Sequence, residues 1–308
     1  MAVPDEVLTE VNRLRRWGSL DQFVMDLAGG AGWLRPGKAK SIGDKVSELA
    51  LVLPWLVYRL PRENALRAAV PGWYDQARAL LADPAAHVNA GYLRKETPLP
   101  PALTAGKPDS DGDVYCTLHP AKLSGPDDPA LAMFPDDDDV AGIRRLIDPG
   151  TAELMESVRA DTGRTGWAQD PTTEVPDLVA EVATRHGLGA DAAAYYLQLL
   201  ALGDPTDRNV QRWTGWAPAR LKKARAELVT AELVVEAKRD RAGRTAFLPG
   251  GWRKTPGVEE WKVPGNDEGI DTLAPLVAPC RPVAALFRAA WQRVLDGDPP
   301  RLRALTTR

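Results

Sequence analysis

Two short segments in the C-terminal half of the chain are separated by residues that start and stop helices. Thr206 can cap a helix over DRNVQRWT, because a threonine side chain accepts a hydrogen bond from an unpaired backbone amide. That helix ends at Gly215, and Pro218 is a favoured first-turn residue for a second helix, PARLKKARAELVTAEL. Two helices joined by a short glycine-containing turn predict a helix-turn-helix unit.

The residues after the second helix change to a strand-like pattern. Residues 233–237 (LVVEA) are rich in β-branched side chains, and residues 245–248 (TAFL) predict a second short strand. Between them lies the basic loop KRDRAGR, in which Gly243 supplies the turn. An apolar helix capped by Asp191 precedes the unit. Helices followed by a hairpin with a basic tip predict a winged helix-turn-helix domain over residues 191–248.

The second helix carries basic side chains beside an apolar face formed by Leu221, Ala224, Leu228 and Ala231. A helix about 10 Å wide fits the major groove of DNA, where basic side chains reach phosphates and guanine edges. We expect the loop bases to follow the DNA backbone or enter the minor groove, and the first helix to clamp a phosphate strand. The candidate DNA-binding residues are therefore Arg208, Arg212, Arg220, Lys222, Lys223, Lys238, Arg239, Arg241 and Arg244.

The charge of the chain is uneven. Residues 206–262 hold thirteen basic and seven acidic residues, a local charge of +6, within a chain of net charge −3. A basic patch on an acidic protein is typical of a nucleic-acid reader carried by a larger body. A solvated basic surface without a ligand is the alternative interpretation.

The rest of the sequence predicts a mainly α-helical protein whose segments differ in composition and regularity. Residues 1–100 read as a helical domain, with a helix from Arg62 to Leu81 that breaks at Pro71-Gly72. Residues 101–177 are acidic and rich in proline and glycine, with one plausible strand at 114–118, and predict a loop region or linker. The winged helix-turn-helix domain is expected over 178–265. A C-terminal helical extension follows over 266–308, with its helix at Val283 to Leu295.

Sequence motifs for cofactors and metals are incomplete. Gly32 to Lys38 has the GxxxxGK spacing, but Ala39 replaces the hydroxyl residue that would bind magnesium. The acidic run at 109–113 lacks the glycine and glutamate of a calcium loop, and Cys116 with His119 has no second ligand pair for zinc. We therefore expect no cofactor, no metal and no enzymatic activity. An enzyme within residues 1–170 is the least favoured alternative.

The tryptophans Trp213, Trp216, Trp252 and Trp261 surround the predicted wing. We expect them to pack the small domain against its flanking segments, because a domain of this size is short of core. Stacking on the bases of single-stranded nucleic acid is the alternative.

A resemblance adds to this interpretation. The stretch DPTDRNVQRWTGWAPARLKKARAELVTAELVVEAKRDRAGRTAFLPGGW and the tail RPVAALFRAAWQRVLDGDPPR resemble the C-terminal part of large, poorly characterised bacterial proteins. Those proteins are associated with conflict or regulatory gene sets that include AAA+ ATPases. The resemblance covers roughly the last third of the chain, and it implies an ATPase-linked or scaffold role.

Two functions follow as expectations. The first is a regulatory DNA-binding protein that uses the winged helix-turn-helix on double-stranded DNA. The alternative is a non-enzymatic adaptor whose winged helix docks a protein partner, such as an AAA+ ATPase or a second copy of the chain. Because no run of 18 apolar residues occurs and the N-terminus lacks an apolar signal core, we expect no membrane association and a cytoplasmic protein.

Overall fold

The computed structural model describes residues 2–12, 20–30, 41–238, 242–249, 279–297 and 299. The protein is mainly helical and includes small antiparallel sheets. It divides into two compact units, the first formed by Met1–Leu60 with Asn64–Thr162 and the second by Pro61–Glu63 with Gly163–Arg308. The main division therefore follows Thr162, whereas the sequence suggested boundaries after residues 100 and 177. Within the described ranges, no helix is long and apolar enough to cross a membrane.

The first unit begins with helices that pack through apolar faces. They are α1 (Asp5–Val11), α2 (Asp21–Ala28), α3 (Gly43–Arg59) and α4 (Ala65–Leu81). The expected break at Pro71-Gly72 does not occur, and α4 runs through both residues. Val70 and Trp73 are buried on either side of the Pro-Gly pair. Packing of this apolar face therefore outweighs the low helix propensity of proline and glycine.

The segment expected to be a loop region is ordered. Three antiparallel strands, β1 (Val88–Arg94), β2 (Leu103–Pro108) and β3 (Asp113–Leu118), form a sheet with β3 in the centre. Tyr92 pairs with Tyr115 across β1 and β3, and Thr104 pairs with Thr117 across β2 and β3. The helices that follow are α5 (Pro129–Ala132), α6 (Asp138–Ile147), α7 (Pro149–Ala160) and α8 (Pro171–Glu174).

Aspartates explain why this segment resembled a loop. The side chain of Asp128 accepts a hydrogen bond from the amide of Ala130 at 2.9 Å, and that of Asp148 accepts one from Gly150 at 2.7 Å. A proline follows each of these caps at the first helical position. An Asp-Pro pair reads as a turn in isolation, but it also starts a helix. The sequence therefore did not reveal these helices, because several of the aspartates that suggested loops are helix caps.

The second unit is built around one buried helix. It contains α8, α9 (Pro176–His186), α10 (Ala190–Ala201) and α13 (Val283–Leu295). Residues 192–201 of α10 are all buried, as expected for a helix that other helices surround. The predicted C-terminal helix is confirmed, and its Phe287 is buried. On α13, Trp291 donates from Nε1 to Glu181 Oε1 at 2.7 Å.

The second unit also contains two further helices and a short hairpin. They are α11 (Asp207–Thr214), α12 (Pro218–Thr230), β4 (Val235–Glu236) and β5 (Ala246–Phe247), with β4 antiparallel to β5. Thr206 caps α11 by accepting from the amide of Asn209 at 3.1 Å. Gly215 ends α11 with φ of 69°, a left-handed conformation that glycine adopts at low cost. Helix α11 therefore begins and ends where the sequence indicated, whereas α12 begins at Pro218 as expected but ends at Thr230, three residues earlier than predicted, and the strands are shorter than expected.

Candidate nucleic-acid interface

Helix α12 presents one side to the core and the other to solvent. Leu221, Ala224 and Leu228 are buried, and α12 packs against α10. Ala231 was expected to extend this apolar face, but it is exposed and lies after the end of the helix. The core contact therefore uses three of the four residues that the spacing indicated.

The solvent side of α12 carries small and basic side chains. It consists of Ala219, Lys222, Lys223, Ala226 and Thr230, all of which are exposed. These positions follow one another on the helix surface at three- and four-residue intervals. Alanine and threonine side chains are short, so the helix backbone can approach a flat or grooved partner closely. Two lysines then supply positive charge on the same side.

The one acidic residue of α12 is Glu227, and its carboxylate is already bound. Glu227 Oε1 accepts a hydrogen bond from the backbone amide of Gly189, just before α10 begins. Free helix amides attract negative charge, so this contact suits a carboxylate. The acid thus caps a neighbouring helix, which leaves the small and basic side of α12 without a carboxylate of its own.

Arg220 is held by an aspartate at the edge of this surface. Its Nε and Nη2 donate to Asp191 Oδ2 and Oδ1 at 2.7 and 2.6 Å. The guanidinium lies over the Trp216 ring, 5.0 Å from the ring centre. The hydrogen bond from Arg220, together with the charges of Arg220 and Lys223, lowers the pKa of Asp191. Asp191 therefore lies within the electrostatic reach of two of the predicted DNA-binding residues.

Helix α11 contributes two exposed arginines. Arg208 and Arg212 are four residues apart on the side opposite the buried Val210 and Trp213. The Arg212 guanidinium lies 4.9 Å from the centre of the Trp167 ring. Its Nη2 also donates to Asn209 Oδ1 at 3.0 Å. A cation over an aromatic face is attracted to it, and the indole restricts where the guanidinium can point.

The basic loop of the hairpin differs from the expectation at Arg244. Lys238 is exposed after β4, while Arg239 and Arg241 lie outside the described residues. Arg244 was expected on the wing surface, but only 6% of the residue is exposed, and its guanidinium lies 5.2 Å from the centre of the Phe247 ring. A buried guanidinium cannot contact a DNA backbone, so Arg244 is removed from the candidate surface.

The burial of Arg244 follows from how the hairpin base meets α11. Gly243 has φ of 65°, and its carbonyl accepts from the amide of Asp207 at 2.9 Å. A side chain added at Gly243 would lie 2.9 Å from Thr206 Cγ2. The glycine thus allows close contact with the start of α11, and the next residue is directed into the interior. This contact depends on residues more than 35 positions apart, so no local pattern predicts it.

A polar cluster lies beneath the two helices. Arg225 of α12 donates from Nη2 to Asp207 Oδ2 of α11 at 2.5 Å. Burial, followed by the charge of Asp207, raises the pKa of Tyr195 to about 12. Tyr195 therefore stays uncharged near neutral pH, and Arg225 and Asp207 form the charged contact between the two helices.

The tryptophans in the described part of this region pack inside it. Trp213 and Trp216 are buried, which confirms the packing expectation for these two residues. Trp252 and Trp261 lie outside the described residues. Sequence reasoning missed Trp167 and Asp191 as partners of predicted arginines. Each lies more than 25 residues from its arginine in the sequence, and helical periodicity does not indicate contacts between residues so far apart.

Comparisons of the chain with protein-family models, curated proteins and solved structures found no match. Within the described ranges, no group of three or more histidine, cysteine, aspartate or glutamate side chains could hold a metal ion. The function of the surface formed by α11, α12 and the start of the hairpin loop must therefore follow from the residues that it exposes. Its exposed basic residues are Arg208, Arg212, Arg220, Lys222, Lys223 and Lys238, and we name them the basic surface.

Proposed function

We propose that this protein binds double-stranded DNA through the basic surface, with α12 as the recognition helix of a winged helix-turn-helix and the β4–β5 hairpin as its wing. The role would be regulatory and non-enzymatic. The observation that carries the proposal is the solvent side of α12, which combines small side chains with Lys222 and Lys223 and holds no carboxylate. A protein surface that enters the major groove needs both close approach and positive charge.

The order of the elements supports this proposal. Three helices, α10 to α12, precede a two-stranded hairpin, and α12 follows α11 after a three-residue turn. In helix-turn-helix proteins the second helix of the motif enters the major groove while the first crosses the backbone. Arg208 and Arg212 on α11 are exposed for such backbone contacts. Lys238 extends the positive charge to the hairpin loop.

A second candidate function is the adaptor role, in which the same domain docks a protein partner such as an AAA+ ATPase. The observation in its favour is Val235 on β4, which is 46% exposed. An exposed β-branched side chain on a short strand suits a protein contact better than a phosphate contact. The two functions differ in salt dependence, because counterion release dominates DNA binding and contributes little to an apolar interface.

Fluorescence anisotropy with labelled duplex DNA at several salt concentrations tests the proposal. The wild type is compared with Lys222→Ala/Lys223→Ala and with Lys107→Ala/Lys122→Ala, which removes two exposed lysines from the first unit. We expect the first variant to bind weakly with a reduced salt slope, by about 0.9 for each lost phosphate contact. The control variant should bind as the wild type does. Equal binding by both variants, or no binding by the wild type at low salt, would overturn the proposal.

A further inference from the structure

The ion pair between Arg220 and Asp191 lies at the edge of the basic surface and is open to solvent. The side chains are 53% and 36% exposed. Both carboxylate oxygens are engaged, one by Nε and the other by Nη2 of the same guanidinium. Arginine binds carboxylates and phosphates through this same two-pronged geometry. Asp191 thus occupies the hydrogen-bonding edge that Arg220 would offer to a phosphate.

We propose that Asp191 competes with phosphate for Arg220. It binds the Arg220 guanidinium on the basic surface of the free protein and releases it when nucleic acid binds. This inference rests on the proposed function and adds a regulatory element to it. Asp191 weakens binding by occupying Arg220, and it thereby sets the affinity of the domain below the maximum that its cations allow.

Three features make this exchange feasible. Exposed ion pairs contribute little to stability, so little is lost when Arg220 leaves the carboxylate. Trp216 lies beneath the guanidinium, which keeps the plane of Arg220 restricted whichever acceptor it meets. Asp191 is in the first turn of α10, where an acidic side chain is stabilised by the helix dipole after Arg220 departs.

The charges around Arg220 define what a ligand must overcome. Asp191 faces Arg220 and acts electrostatically on Lys223, and Asp170 adds a further negative field at Arg220. A DNA phosphate that reaches Arg220 therefore displaces one carboxylate and approaches another. An isolated phosphate lacks the contacts with Lys222 and α11 that offset this repulsion. The arrangement favours an extended polyanion over a single anion.

The test compares duplex binding by the wild type, Asp191→Asn and Asp177→Asn across a salt series. Asp177 pairs with Arg288 in the same unit, and both of those side chains are exposed, so Asp177→Asn removes an equal charge from another exposed arginine–aspartate pair. We expect Asp191→Asn to bind about two- to fivefold more tightly and with a salt slope steeper by about 0.9. Asp177→Asn should match the wild type. Asp191→Ser serves as a second replacement, and thermal unfolding verifies that each variant is folded.

A second comparison places the effect on Arg220. In an Arg220→Ala background, Asp191→Asn should lose most of its gain, because the released cation is gone. If the wild type binds duplex DNA and Asp191→Asn binds equally well, the competitor role is overturned while the proposed function stands. If neither the wild type nor the folded Asp191→Asn variant binds at low salt, both are overturned.

Discussion

Arg225 Nη2 lies 2.5 Å from Asp207 Oδ2, and this ion pair joins the middle of α12 to the first turn of α11. The side chains are 13% and 31% exposed, so water screens the pair only in part. Asp207 also donates its backbone amide to Gly243 at the base of the hairpin. One residue therefore connects both helices of the proposed motif with the hairpin.

We predict that Arg225→Ala lowers the free energy of unfolding of the second unit by about 1–3 kcal/mol, because the Asp207 carboxylate loses its partner in a half-buried position. Urea denaturation followed by circular dichroism measures the change. The matched control is Arg288→Ala, which breaks the exposed pair with Asp177 and should leave the unfolding midpoint unchanged. Equal midpoints for the two variants would contradict the structural role of Arg225.

Two helical glycines in the first unit predict opposite effects on stability. A side chain at Gly142 in α6 would lie 2.9 Å from Ser47 Cα in α3, whereas Gly72 in α4 has nothing within 4 Å. Gly142→Ala should therefore force α3 and α6 apart and cost about 1–3 kcal/mol. Gly72→Ala should stabilise the helix by about 0.5–1 kcal/mol. Thermal or urea unfolding of the two variants gives the comparison, and a stabilising Gly142→Ala would show that this close contact is absent.

The elements that the sequence predicted well are those with local signals. Thr206, Gly215 and Pro218 each act on a backbone position within three residues, so α11 begins and ends as expected and α12 begins as expected. The side of α12 that packs on α10 follows from helical periodicity, and Leu221 and Leu228 confirm it. Such features need no knowledge of the rest of the fold.

The elements that were missed depend on distant partners. Strand β2 is exposed after its first residue and contains a glycine and a proline, so it pairs with β3 without an alternating pattern. Gly91 in β1 has φ of 121° and lies at a shift in the strand register. This irregularity makes β1 difficult to recognise from the sequence. In the candidate site, Arg244 is buried by a hairpin contact and Arg220 is paired with Asp191, 29 residues away. Neither the composition of the chain nor the spacing of its residues indicates any of these contacts.

The stacked arginine of α11 yields a prediction that rests on the proposed function. Trp167→Leu keeps an apolar side chain but removes the ring under Arg212. A cation–π contact at an exposed site contributes about 0.5–1 kcal/mol, so we expect duplex binding to weaken by about two- to fivefold. Tyr58→Leu removes a ring from beneath Arg59 in the first unit and serves as the control. Anisotropy titrations at one salt concentration are sufficient, and unchanged binding by Trp167→Leu would show that the ring does not position Arg212 for DNA.

Asp139 in the first turn of α6 predicts how the stability of the first unit depends on pH. The pKa of Asp139 is raised from 3.8 to about 6, chiefly by burial; a hydrogen bond with Ser47 opposes this rise, and the charges of the nearby Asp137, Asp44 and Asp138 add to it. The folded state therefore holds this proton more tightly than the unfolded state. Protonated Asp139 therefore makes its full contribution to the free energy of unfolding below about pH 4. This contribution decreases as the pH rises toward 6 and stays low above that value.

Asp139→Asn removes this titration and should stabilise the protein relative to the wild type at pH 7. A shift of this size corresponds to about 3 kcal/mol, which partial exposure reduces to about 1–2 kcal/mol. The difference should vanish near pH 4, where the wild-type carboxyl is also protonated. Urea unfolding of both proteins from pH 4 to 8 measures it. Asp138→Asn, which alters an exposed acid in the same helical turn, should show no comparable gain at pH 7, and a pH-independent difference for Asp139→Asn would contradict the assignment.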